Sequence, residues 1–337
     1  MGTPLRLARD RILAFRRRVG ALDERLPRGR ASLRRAAWAG LQDSMPRAAL
    51  LSIHARVDGT GRTTWEDPSL VQLWGPRFSA YVVPARDLAV FSLGRLPTDA
   101  KGRRLAEDLA ARLETLLQGG SMTYDEAGAA LGEHPNRLRY AAATGSVLIR
   151  WDGARRPTIR TVPRPSVDPP AARLELARRY LHVFGPGTPE MFARWAGIGQ
   201  RDARQAFDAL ARALTLVRTP IGEAWILARD EEGFRAPTAP PAPARLLPSG
   251  DAYFLLQGDD RSILVPDAER ARELWTSRVW PGAVLVDGDV VGTWRRADRT
   301  LTIATWRRLS RTARDAIDAE AASLPLAGDA SIVVRWE

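Results

Sequence analysis

Proline interrupts this chain in three places where regular structure cannot absorb it: RLPTDAKG at 95–102, PRPSVDPPA at 163–171 and APTAPPAPA at 236–244. The ring fixes φ, removes an N–H and drives the preceding residue out of the helical region, so these stretches continue neither a helix nor a central strand. Such segments commonly join domains. A length of 337 residues exceeds what one core usually serves. The breaks therefore divide the chain into four expected domains, residues 1–100, 101–165, 170–235 and 245–337.

The second piece has a legible order. RRLAEDLAARLETLLQG has the apolar period of a helix, TYDEAGAALG opens with a threonine cap and acids in its first turn, and HPNRLRYAAATG supplies a third helix. VLIRW and PTIRTV follow as two short strands around the loop DGARR. Three helices and a hairpin make a winged helix, in which the third helix enters a DNA groove and the hairpin loop touches phosphates. The third piece repeats the plan with LELARRYLHVFG, TPEMFARWAG and GQRDARQAFDALARA, then LTLVRT and AWILAR around PIGE. Two matching units of about 65 residues argue for tandem modules. The first piece fits more loosely, with ASLRRAAWAGL as a helix, PRAALLSIHARV as a third helix opened by Pro46, and FSAYVVP as a strand. In the last piece an Asp287-Gly288 turn separates alternating strands, and the helix SRTARDAIDAEAASL precedes the strand SIVVRW. The expected fold is α+β: three tandem winged-helix (helix-turn-helix) modules followed by a small β-rich C-terminal domain.

Composition narrows the chemistry. There is no cysteine, which excludes disulfides and thiolate chemistry. The three histidines, His54, His134 and His182, lack the spacing of a zinc site. Neither a metal nor a cofactor is expected. The arginine bias, with Lys101 the one lysine, reflects GC-rich codons, but the net charge of +12 is a surplus over carboxylates that codons do not explain. A polyanion is the partner such a surplus favours, and double-stranded DNA leads over a membrane surface. Apolar runs such as Ala252 to Leu256 fall far short of the roughly 18–20 residues of a membrane helix. The basic stretch LRLARDRILAFRRRVGALDER is broken by Asp10, Asp23 and Glu24 and leads into no apolar signal core. A cytoplasmic, nucleoid-associated monomer is the expectation.

Residues 40–57, GLQDSMPRAALLSIHARV, place Gln42, Asp43 and Ser44 directly before an apolar helix. Asp43 or Ser44 can cap that helix. Alternatively the three side chains hold a water for a reaction, and both readings can be true together. Gln42 contributes little as a cap, which favours the second.

These residues, with LWGPRFSAYVVPARDLAVFSLGRLP, LLPSGDAYFLLQGDDRSILVP and VLVDGDVVGTWRR in that order, make the chain resemble the AlkZ-like winged-helix DNA glycosylases over nearly its whole length. The resemblance implies excision of alkylated or cross-linked bases through a Gln-apolar-Gln or Gln-apolar-Asp motif ahead of the first module's third helix. Gln42 matches the first position, Asp43 stands where an apolar residue is usual, and Ser44 replaces the second Gln or Asp. A cationic alkylpurine departs easily, so such an enzyme need only stabilise an oxocarbenium-like sugar and place water on its far face. An amide oxygen at Gln42 would orient that water, a carboxylate at Asp43 would polarise it, and Ser44 would add a hydrogen bond. The departure supports a rival expectation, a non-catalytic winged-helix DNA-binding protein acting as a regulator or lesion-binding shield.

Other candidates have two readings each. His54 is either a core histidine or a cleft residue. Tyr81 either stacks on a base or belongs to the core edge. Asp251, Tyr253 and Arg261 either grip the lesion strand or, for Asp251 and Arg261, form a structural ion pair. Trp294 reads as core. Arg47, Arg56, Arg77, Arg137, Arg139, Arg201 and Arg204 complete the expected DNA-binding set with Arg261. Phosphate contacts of this kind give affinity without sequence choice.

Overall fold

The computed structural model describes residues 5–45, 47–152, 156–326 and 332–337. Helices and strands are mixed throughout, and the strands of the described residues form four sheets, three of three strands and one of five. Pro46, expected to open a helix, and residues 153–155 of the DGARR loop lie outside the described residues. No helix of the described residues is long and apolar enough to cross a membrane.

Local signals explain the elements. Asp99 accepts from the Gly102 N–H at 2.7 Å and starts helix Ala100–Leu117, whose Leu109, Leu113 and Leu117 are buried on one face. Asp168 accepts from the Ala171 N–H at 3.1 Å and starts helix Pro169–Phe184 with proline in its first turn. Two of the three proline breaks therefore end in helix caps. Thr123 and Glu126 form a reciprocal capping box on helix Tyr124–Leu131. The following stretch, Pro135–Thr144, expected as an α-helix, is a 3-10 helix. Leu138, Ala141 and Thr144, spaced by three, are among its buried residues, and i, i+3 side chains eclipse in this tighter winding.

Each three-stranded sheet packs with neighbouring helices. The first runs Leu41–Gln42, Ala80–Pro84, Leu70–Trp74; the second, Ser121–Thr123, Thr158–Thr161, Val147–Arg150. The strands Leu70–Trp74 and Val147–Arg150 lie against each other, and Trp74 and Ala80 join the core built by Leu109, Leu113, Leu138 and Ile159. This junction places the Leu70–Trp74 edge of the first sheet beside the second unit.

The third sheet takes in the start of the chain, which the expected division placed in residues 1–100. Leu5–Arg6 pairs in parallel with Val217–Arg218 of the hairpin Leu214–Thr219, Gly222–Leu227. Helix Arg9–Val19 packs on Pro169–Phe184 and Glu231–Arg235, with Phe15 stacked 3.8 Å from Phe234. The chain's beginning thus belongs with its third piece. Arg16 extends the connection through Phe184, Gly185 and a buried ion pair with Asp260 at 2.8 Å.

The five-stranded sheet runs Ala244–Leu247, Gly282–Val286, Asp289–Ala297, Thr300–Thr305, Val333–Trp336, the last pair parallel. Asp287 and Gly288 both have positive φ, 50° and 83°, as a type I′ hairpin turn requires. Trp294 is buried and donates to the Leu247 carbonyl at 2.9 Å, the core role read for it.

Candidate active site

Gln42 ends the short edge strand Leu41–Gln42, opposite Tyr81. Its side chain is half-buried. The amide oxygen accepts from Arg77 Nη2 at 2.8 Å. Gly250 backs the other side: a Cβ there would lie 3.0 Å from Gln42 Nε2, and φ of +75° independently favours glycine. Gly250 lies in LLPSGDAYFLLQGDDRSILVP without a local signal of its own, since only the fold brings it to Gln42.

Asp43 is 3% exposed. One oxygen accepts from the Ala49 N–H at 3.0 Å and the other from the Gln72 amide at 2.7 Å. Gln72 in turn accepts from the Trp151 N–H at 2.7 Å and donates to the Trp151 carbonyl at 3.1 Å. The carboxyl thus ties helix Ala48–His54 to the sheet and to the second unit, a cap and brace facing away from solvent. Burial pushes its pKa up to about 7 against the lowering effect of these hydrogen bonds and the charge of Arg47. Gln72, a second residue missed in the sequence, had no local signal. Ser44 is half-buried on a cleft wall and makes no hydrogen bond among the described residues.

That cleft, about 560 Å³, lies between the first and second units. Ser44, Trp74, Arg77, Tyr124, Arg139 and Trp151 are among its walls. Arg77 and Phe78 have φ of 54° and 55°, a strained conformation for two consecutive non-glycine residues. Their loop is clamped from several sides. A Cβ on Gly75 would meet Tyr81 at 2.8 Å, and one on Gly197 would meet the Arg77 backbone at 2.9 Å. Buried Arg95 donates to the carbonyls of Ala196 at 3.0 Å and Trp74 at 2.9 Å and lies 4.9 Å over the Phe78 ring. Burial lowers its pKa to about 10, and it remains charged at neutral pH. Arg139 lies 4.4 Å over the Trp74 ring. Arg261 packs over Trp275 at 5.0 Å and Trp280 at 5.3 Å; burial, then the charge of Arg77, lowers its pKa.

Several expected site residues lie elsewhere. Arg56 is 2% exposed and grips Asp251, 1% exposed, with two bonds of 2.7 Å. Ser52 and the Tyr253 N–H complete that carboxylate's hydrogen bonds at 2.6 and 2.9 Å. Arg56 is therefore a core cation out of reach of DNA, and the ion pair expected between Asp251 and Arg261 forms with Arg56 instead. Tyr253 is buried, and burial raises its pKa. Tyr81 has no exposed surface, so no base stacks on it. His54 faces Ser323 at 3.0 Å beside the Arg25–Glu320 ion pair, and burial followed by Arg25 and Arg245 lowers its pKa to about 4. It is a core histidine against the C-terminal part. Arg47 lies 4.5 Å over Trp65. Arg137 and Arg204 are exposed and pair with Glu133 at 3.1 Å and Glu190 at 3.2 Å, while Arg201 is exposed on helix Gln200–Leu210.

The mixed α and β fold and its arginine-walled cleft can now be set beside known proteins. A family model described as DNA glycosylase AlkZ-like matches residues 33–325. The chain belongs to the AlkZ-like DNA glycosylase family. The solved Streptomyces sahachiroi DNA glycosylase AlkZ shares the fold with a TM-score of 0.79 at 21% identity, over 99% of this chain and 100% of that one. An interstrand DNA cross-link repair glycosylase of Streptomyces sahachiroi is 30% identical over 168 residues, 49% of this chain and 45% of the relative. The match thus spans about half the length of that curated relative.

Proposed function

We propose that this chain is a monomeric DNA glycosylase of the nucleoid that hydrolyses the N-glycosidic bond of alkylated purines, bulky or cross-linked adducts included. The observation that carries this reading is the Gln42 amide, half-exposed, bonded to Arg77 at 2.8 Å and set beside the cleft that holds Ser44. In this reading the three helix-and-hairpin units are winged helices that present a basic concave face to duplex DNA. Arg77, Arg139, Arg201 and Arg204 contact phosphates, and Arg261 adds charge near Arg77.

The mechanism follows from what each group has left to offer. An amide oxygen has two lone pairs, and Arg77 uses one. The other accepts from a water on the far face of the sugar. The Arg77 charge holds the amide plane fixed, and Ser44 supplies a further hydrogen bond to the same water. A cationic base leaves without a strong general base, so Asp43 serves by bracing the strand, not by touching water. No metal and no cofactor is needed for such a hydrolysis. The sealed position of Asp43 also favours a second reading, a lesion-binding shield that recognises adducts without excising them.

One assay separates the two. DNA bearing 7-methylguanine or a cross-link is incubated with the protein and any abasic sites are cleaved with alkali. Breaks with the wild type that vanish in Gln42→Ala, with DNA affinity retained, support the glycosylase. Tight binding with no breaks on any adduct supports the shield.

A further inference from the structure

We propose that the cleft walled by Trp74, Arg77 and Arg139 is a phosphodiester site, and that a DNA phosphate held there orients Gln42 through Arg77. The proposal rests on the reading of Gln42 as the water-positioning group. Its grounds are the unspent donors of the cleft. Arg77 gives Nη2 to Gln42, whereas its Nη1 is buried with no hydrogen-bonded partner among the described residues. The Trp74 indole N–H, also buried, has none among the described residues either. Native proteins rarely leave such donors without an acceptor, and a cluster of them marks where a ligand belongs.

The chemistry of these groups selects the ligand. Indole and guanidinium nitrogens only donate, so the ligand must present acceptors, and a phosphodiester presents nothing else. Charge agrees with this. Asp125, the carboxylate among the described cleft residues, pairs with Arg156, leaving Arg77 and Arg139 without a carboxylate partner among the described residues. A space of about 560 Å³ admits a sugar-phosphate unit. Arg77 is also aimed by its backbone: the φ of 54° is held by Gly197 and the buried Arg95, so the side chain enters the cleft from a fixed base.

A guanidinium is planar, so a phosphate oxygen on Nη1 fixes the direction of the Nη2 bond to Gln42. DNA docking and amide orientation become one event. Arg77 is thus both a phosphate contact and a positioning residue.

The test uses the full chain with two duplexes: one carrying a non-hydrolysable 2′-fluoro analogue of 7-methylguanosine, titrated across a salt series by fluorescence anisotropy, and one carrying 7-methylguanine itself, on which excision is read. Each lost phosphate contact lowers the slope of log Kd against log salt by about 0.9. Arg77→Ala and Arg139→Ala are each expected to lower it by that amount, and Gln42→Ala not at all. Arg77→Lys is expected to keep the slope but to lose saturating single-turnover excision as Gln42→Ala does, because one ammonium cannot hold a fixed plane between two acceptors. Arg139→Ala is expected to raise the DNA concentration needed for half-maximal rate. An unchanged slope in Arg77→Ala would mean that the cleft holds water only. Wild-type excision in Arg77→Lys would remove the positioning role. Wild-type protein that binds with its full slope yet excises no adduct would sink the glycosylase reading while the slopes still judge the phosphate site.

Discussion

Two polar clusters flank the helix Ala48–His54 and differ in one respect. Around Asp251 every partner is supplied: Arg56 binds both oxygens at 2.7 Å, Ser52 and the Tyr253 N–H complete them, and solvent is excluded. Around Gln42 the arrangement is unfinished, with one bond to Arg77, a spare buried nitrogen on that arginine, and a backbone held at positive φ. A closed network fixes architecture, because removing either of its charges strands the other in the interior. An open one on a strained loop keeps capacity for a ligand. Both clusters pair an arginine with an acceptor across distant sequence, so residue type alone does not tell them apart.

The contrast is broken most easily at Asp251. Asp251→Ala leaves the Arg56 charge buried and is expected to cost about 3–5 kcal/mol of stability. A loss under about 1 kcal/mol in denaturant titration would mean that the closed network is not structural. Gln42→Ala should do the reverse, lowering excision by about 10²-fold or more while stability stays within about 0.5 kcal/mol. Comparable losses in both measurements would place Gln42 among the architectural residues.

A finer test uses two titrating groups at opposite ends of helix Ala48–His54: Asp43, which caps it from outside, and His54, its last residue. The folded pKa of Asp43, about 7, is raised from 3.8, so the folded state holds a proton that the unfolded state releases, and stability falls as pH rises from about 4 to 7. That of His54, about 4, is lowered from 6.5, so the unfolded state binds the extra proton and stability rises over pH 4 to 6.5. The two slopes oppose each other in one window. Relative to wild type, Asp43→Asn should make stability climb more steeply with pH there, and His54→Asn should make it fall. Midpoints at four pH values decide this, and parallel profiles in all three proteins would contradict it. The smallest effect is expected from Arg204→Ala, whose exposed pair with Glu190 at 3.2 Å should contribute under about 1 kcal/mol.

What the sequence disclosed was local. The Thr123 cap, the Asp287-Gly288 turn and the hairpin strands at 147–161 and 214–227 were readable because their determinants lie within a few residues of one another. Gln42 could be singled out because it is a poor cap in a capping position. Its environment could not: Arg77 lies 35 residues away, and Gly250 reaches it only through the packing of another segment. The arginines show the same limit. Arg56 and Arg77 look alike in sequence, yet one is sealed against a carboxylate 195 residues distant and the other opens on a cleft. The place of helix Arg9–Val19 beside the third piece is hidden for the same reason, since a two-residue parallel pairing leaves no periodic trace.

That helix has a consequence for how the molecule is made. Arg9 bonds the Leu264 carbonyl and the Asp289 carboxylate across separations of 255 and 280 residues. At ribosomal speeds of about 5–20 residues per second it emerges roughly fifteen to sixty seconds before its last partners exist. During that interval a basic amphipathic segment waits with its apolar side uncovered.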